Sequence, residues 1–252
     1  MFLFSSNKSK GSGADVAAPN ASQRQSAANA SKFLNMQCTF VEPIGRGILV
    51  NHPVIAGDPG DTKIVMVLDA SGSMNTVKKD IVGSVNSFLD AQKTIIEDKP
   101  TFSLLQFGHV TNWRFVDAPL ETIPEFKEHM YEIAGGTPLY DSIGAAIQTF
   151  DRFNDVSLVI ITDGQDNTST IFSCDRIKKM LAQKKAEQNW DIIYLCADAS
   201  GFEAGAAMGV TSNFSAPQAE FAKNIRCDMS SAVQMQRNSN IASRSAPSKS
   251  HS

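Results

Sequence analysis

The sequence has 252 residues, 42% hydrophobic and 19% charged, a balance that suits a soluble globular protein with one sizeable core. Its formal net charge of −3 is uneven: Lys8, Lys10, Arg24 and Lys32 against Asp15 leave residues 1–35 at +3, Arg237, Arg244 and Lys249 leave 237–252 at +3, and 36–236 carries −9. So acidic a middle argues against nucleic acid as the main ligand, since phosphate binding needs a concentrated basic face, and it tolerates a divalent-cation site.

Residues 1–35 are rich in Ser, Ala, Asn, Lys and Gly and poor in large apolar side chains. Such a segment buries too little to offset its ordering entropy, so it is predicted to be a disordered basic tail. The same reading covers 236–252. Residues 36–60 alternate weakly around prolines and are predicted to form an edge hairpin or strap. The ordered domain is expected over 61–235.

Within it, Lys63–Asp69 (KIVMVLD) is an apolar run ending in an acid, as expected of a strand buried on both faces of a parallel sheet. Residues 76–95 carry the apolar stripe of a helix at Val77, Ile81, Val82, Val85, Phe88, Leu89 and Ile95. Residues 101–107 and 112–117 read as two strands joined by a short turn, the antiparallel pair of the sheet, with Trp113 packed in the hairpin. A short helix is expected over 121–133 and another over 138–153. Val156–Thr162 (VSLVIIT) is a second fully buried strand. A helix over 174–188, a strand over 190–196, a small-residue helix over 200–209, a brief strand at 212–215 and a last helix over 217–235 complete the order. This alternation predicts an α/β class domain: a doubly wound, mostly parallel central sheet with one antiparallel strand and helices on both faces. Ligands of such sheets lie beyond the carboxyl ends of the strands, where strand order reverses.

Three such ends carry oxygen donors. Asp69-Ala70-Ser71-Gly72-Ser73 follows the first strand, Gly135-Gly136-Thr137-Pro138 precedes a helix, and Asp163-Gly164 follows the strand at 156–162. Two carboxylates (Asp69, Asp163) and three hydroxyls (Ser71, Ser73, Thr137) are hard ligands that suit Mg²⁺ or Mn²⁺. Taken singly, each is an ordinary turn or helix cap; their order and common end of the sheet set them apart. The four cysteines (Cys38, Cys174, Cys196, Cys227) are scattered, which excludes a clustered zinc site and a dense disulfide framework. Cys196 is expected to be a buried thiol. Four apolar residues at the N-terminus are too few for a signal peptide, and no run reaches the roughly 20 residues of a bilayer span, so the expected location is the cytoplasm, or the virion if the chain is viral.

The set Asp69-x-Ser71-x-Ser73, Thr137 in GGTPLYDSI and Asp163 in IITDG resembles the metal-ion-dependent adhesion site of von Willebrand factor A-type domains, and the resemblance spans about residues 60–235. It implies a Rossmann-like fold. It implies that Ser71, Ser73 and Thr137 ligate the metal directly while Asp69 and Asp163 act mainly through water. A carboxylate from a partner protein would complete the coordination. The rim that selects this partner is expected to include Met74, Asn75, His109, Gln165 and Asp166, with Asp166 itself read as a solvated turn residue. Some relatives work with AAA+ ATPases, which here would be a separate chain.

Enzyme readings find little support. A haloacid dehalogenase-type phosphohydrolase needs a second Asp where Ser71 stands. Neither GxGxxG nor GxxxxGK[ST] follows the first strand. His52, His109, His129 and His251 form no pattern that would activate a serine. The expected function is a Mg²⁺-dependent protein-interaction module without catalysis. An assembly component of a larger particle such as a virion is the alternative.

Overall fold

The structure is a computed structural model that describes residues 53–197, 199–215 and 229–245. The tail over 1–35, most of the strap over 36–60, the segment 216–228 and the stretch 246–252 therefore lie outside the described residues.

Six strands form one sheet: β1 (Lys63–Asp69), β2 (Thr101–Phe107), β3 (Asn112–Pro119), β4 (Val156–Thr162), β5 (Asp191–Cys196) and β6 (Ser212–Ser215), in the order β3-β2-β1-β4-β5-β6. All neighbours are parallel except β2 and β3. Five α-helices are described: α1 (Lys78–Lys93), α2 (Leu139–Thr149), α3 (Cys174–Gln188), α4 (Ala199–Ala207) and α5 (Ser230–Ser245). The expected doubly wound α/β architecture is the observed one.

The period-2 geometry of β1 explains the two layers. Ile64, Met66 and Leu68 face one core with Ile81, Val85, Phe88 and Leu89 of α1 and Val233 of α5. Val65 and Val67 face the other with Leu139, Ile143 and Ile147 of α2 and Ile177 and Leu181 of α3. All seven residues of β1 and of β4 are buried, which is why both read as unbroken apolar runs. Cys196 is buried, as expected, and Trp113 is half-buried, edge-on to Phe150 at 6.0 Å between ring centroids. Chain order reverses between β1 and β4, so the crevice at their carboxyl ends is the switch point of the sheet.

Three elements differ from expectation. The helix predicted to begin at 76 is preceded by a 3₁₀ segment, Gly72–Val77, that carries the chain out of β1. No α-helix forms over 121–133, only two single 3₁₀ turns at Leu120–Thr122 and Glu128–Met130. Pro124 disfavours the helical region for Ile123, which sits at φ −65°, ψ 120°. Asn86 on α1 then holds the extended chain from both sides, its Nδ2 donating to Phe126 O (2.8 Å) and its Oδ1 accepting from Phe126 N (2.7 Å). The third difference is at the carboxyl end: α5 continues through Ser245, ten residues into the stretch read as a tail. Arg237, counted there as a tail charge, is fully buried. Its guanidinium pairs with Asp98 and donates to Gln92 O (2.7 Å), Gln92 Oε1 (2.9 Å) and Ile95 O (3.2 Å), tying α5 to the end of α1. No helix among the described residues is long and apolar enough to cross a membrane.

Candidate metal centre

Asp69 ends β1 at the switch point and is fully buried. Its Oδ1 accepts from the backbone N of Ser71 (2.7 Å) and its Oδ2 from Thr162 Oγ1 at the end of β4 (2.5 Å). Its backbone O accepts from the hydroxyl of Tyr131. Burial pushes the Asp69 carboxyl up from 3.8 to about 6, against the opposing pull of the Thr162 and Ser71 hydrogen bonds, and the charge of Asp163 pushes the same way as burial. Burial also holds Tyr131 well above the ordinary phenol range, with Asp69 and Asp163 adding to the effect, so its hydroxyl remains a donor.

Two of the three candidate hydroxyls are brought together as the spacing suggested. Ser71 Oγ and Ser73 Oγ lie 3.1 Å apart, and Ser73 Oγ donates to Asp163 Oδ1 at 2.7 Å. This last bond joins the loop after β1 to the loop after β4 across 90 residues of sequence. The third loop docks through its backbone. Gly72 N donates to Gly135 O (3.1 Å), Ala134 N to Ala70 O (2.9 Å), and Thr137 exchanges two bonds with Asn167: Thr137 N to Asn167 Oδ1 (2.7 Å) and Asn167 N to Thr137 O (3.1 Å). Gly135 is required at this junction. It sits at φ +82°, and a Cβ there would lie 2.7 Å from His109 Cα.

Asp69, Ser71, Ser73, Thr137 and Asp163 thus lie on three loops knitted into one crevice. The donor chemistry fits a hard divalent cation: two carboxylates, one with its charge unfavourably buried, beside neutral hydroxyls. Among the described residues no three His, Cys, Asp or Glu side chains gather as a metal cluster, so hydroxyls are essential to this reading. When bound, a divalent cation would supply a strong positive charge that offsets the buried carboxylate and attracts an anionic ligand.

The expected rim is partly corrected. Asn75, His109 and Gln165 are exposed. Met74 is not: it is fully buried in the α1-side core, because the 3₁₀ turn after Ser73 aims it inward. Asp166 is not a solvated turn residue either. Its Oδ2 accepts from Tyr140 N (3.1 Å) and from Ser169 Oγ, and its Oδ1 from Ser169 N (3.3 Å), so its carboxylate is spent holding its own loop against α2. Asp141 escaped the sequence reading altogether. It is buried at the start of α2 and its carboxylate accepts from Thr170 N (2.8 Å), Ile171 N (2.9 Å) and Phe172 N (2.8 Å). An acid in the first turn of a helix signals ordinarily that helix's own terminus, which hid this role. Thr162 and Tyr131 were also missed; only Thr162 had a visible signal, as a hydroxyl directly before Asp163.

A doubly wound sheet with this order, with donor-bearing loops at its switch point, is the arrangement expected of a von Willebrand factor A-type domain. Solved structures share the fold. Proximal thread matrix protein 1 from the mussel byssus is similar in a second crystal form, with 16% identity, 69% of this chain and 46% of that one covered, and a TM-score of 0.50. The same mussel protein with a zinc-occupied MIDAS motif has 15% identity, the same coverage and a TM-score of 0.50. A von Willebrand factor type A protein from Catenulispora acidiphila has 16% identity, covers 69% of this chain and 43% of its own, and has a TM-score of 0.48. The chain spans less than half the length of these proteins. No protein-family model and no curated protein matches the sequence.

Proposed function

We propose that this chain is a metal-dependent protein-interaction module. Ser71, Ser73 and Thr137 would hold Mg²⁺ or Mn²⁺ through their hydroxyls, Asp69 and Asp163 would balance its charge, and a carboxylate of a partner protein would be captured at the metal. One observation supports the reading above the others: Ser73 Oγ is bonded to Asp163 Oδ1 with Ser71 Oγ beside it, so oxygen donors following two separate strands meet. The zinc-occupied motif of the mussel protein supports a divalent cation at a site of this kind.

On this reading the chain's own residues would supply preorganisation rather than catalysis. Ser73 Oγ is bonded to the Asp163 carboxylate and Ser71 Oγ, and not to an imidazole of the described residues such as would make it a nucleophile. His109 meets the site through its backbone, donating from N to Ala134 O (2.6 Å). Exposed Asn75, His109 and Gln165 would contact the partner around the metal. The partner would be a subunit of an AAA+ ATPase or an assembly component, on a separate chain.

The test is capture from native lysate on the immobilised full-length protein under three conditions: Mg²⁺, EDTA, and Mg²⁺ with the Ser71→Ala, Ser73→Ala variant. A protein retained only in the first condition is the expected result. Equal retention in all three would refute the reading and favour a structural component that assembles through another face.

A further inference from the structure

The metal centre reuses one face of α2 in a way its ligands do not explain. Asp141 and Gly144, three residues apart, lie on the same side of that helix. Asp141 takes three successive backbone N–H groups, from Thr170, Ile171 and Phe172. Gly144 takes the Phe172 ring, since a Cβ there would lie 2.5 Å from the ring carbons. Arg176 covers the same ring from 4.6 Å. Asp141's own backbone N donates to Ser169 Oγ (3.0 Å), closing the seam. The segment held this way is the far end of the loop that starts at Asp163 and contains Asn167, the residue that ties Thr137 by two bonds.

The geometry points to Asp141 as a positioning residue for the metal centre. Resting on the metal-binding reading above, this inference assigns Asp141 the task of fixing the β4–α3 loop so that Thr137, which starts on the α2 side of the seam, and Asp163, which starts on the β4 side, keep one spacing before any ion arrives. A buried carboxylate with three backbone donors is a stiff anchor, because charge-assisted bonds are about twice as strong as neutral ones. The loop itself is polar and largely exposed over Gln165–Thr170, so it has little apolar burial of its own to hold it. Asp141 does not touch the ion. Its effect is on how much ordering the ion must impose, which is how supporting residues around metal ligands act, at about 10–100-fold in affinity.

The test compares Mn²⁺ affinity, by calorimetry at 10 °C, of the full-length wild type, Asp141→Asn, Gly144→Ala and Phe153→Leu. Phe153 is buried before β4, at the opposite end of the sheet from the metal centre. It serves as a control for general loss of stability. Asp141→Asn and Gly144→Ala, which open the same seam by different chemistry, should each weaken Mn²⁺ binding by about 10–100-fold. Amide exchange at 170–172 should speed up in both. Phe153→Leu should lower the melting temperature and leave Mn²⁺ affinity within twofold. If Asp141→Asn and Gly144→Ala bind Mn²⁺ within twofold of wild type, or Phe153→Leu weakens binding as much as they do, the positioning role is wrong. A wild type that binds no Mn²⁺ would instead remove the metal reading itself.

Discussion

Replacing Asp69 by Asn should make the metal-free protein more stable at neutral pH while abolishing metal binding. Asp69 is fully buried, and its carboxyl rises from 3.8 to about 6, chiefly through burial. A folded-state pKa above the unfolded one means that the native state holds the proton more tightly. Stability is therefore unaffected below about pH 3.8, falls as pH rises towards 6, and stays lowered above it. The penalty on the charged form at pH 7.5 comes to about 3 kcal/mol. Asn keeps the geometry: its Oδ1 can still accept from Ser71 N. Its Nδ2 can donate to Thr162 Oγ1, whose hydroxyl already has Gly164 O within 3.2 Å as an alternative acceptor. The assay is urea denaturation in EDTA at pH 7.5 and pH 4.0, with a parallel series in Mg²⁺. In EDTA the variant should gain up to about 3 kcal/mol at pH 7.5 and nearly nothing at pH 4.0. In Mg²⁺ only the wild type should be further stabilised, as ligand binding to the native state requires. A variant that is less stable than wild type in EDTA at pH 7.5, or equally changed at both pH values, would refute the view of Asp69 as a charge held in place for an ion.

Metal affinity should fall below about pH 6, because a proton on Asp69 competes with the ion, and Mn²⁺ titrations between pH 5 and 7.5 would show it. Arg237→Ala should cost about 3–5 kcal/mol in urea denaturation, since it leaves Asp98 buried without its partner. Met74→Ala should cost about 2–5 kcal/mol of stability and leave partner capture by the folded protein unchanged, as suits a core residue rather than a rim residue. Gly135→Ala should destabilise by about 1–3 kcal/mol, from the positive φ together with the clash against His109, and should weaken Mn²⁺ binding in calorimetry by displacing the Thr137 loop.

Much of this was legible because the relevant signals are local. β1 and β4 are buried on both faces, so their composition alone marks them, and the acid at each end follows directly in the chain. The five candidate ligands have the same kind of local signature, a donor at a strand end or helix start. What was hidden depends on contacts between distant segments. Asn86 straightens the chain at Phe126 from 40 residues away, which overrode the helical pattern of 121–133. Asp141 acts 29 to 31 residues down the chain, on backbone N–H groups that have no sequence signature. Met74 lies amid ligand residues, yet the inward turn of a 3₁₀ segment decides where it points.

The arginine in α5 bears on where this domain can be cut. By composition, the stretch RNSNIASRSAPSKSHS looks expendable, and a fragment ending at residue 236 would be the natural choice for expression. Such a fragment would lose the guanidinium that neutralises Asp98 and saturates the carbonyls of Gln92 and Ile95, so its fault would surface at the end of α1, far along the chain from the cut. Insoluble or protease-sensitive product from it would report a missing internal counter-ion. A boundary for fusions, tags and crystallisation trials therefore belongs no earlier than Ser245, so that the whole of α5 is kept.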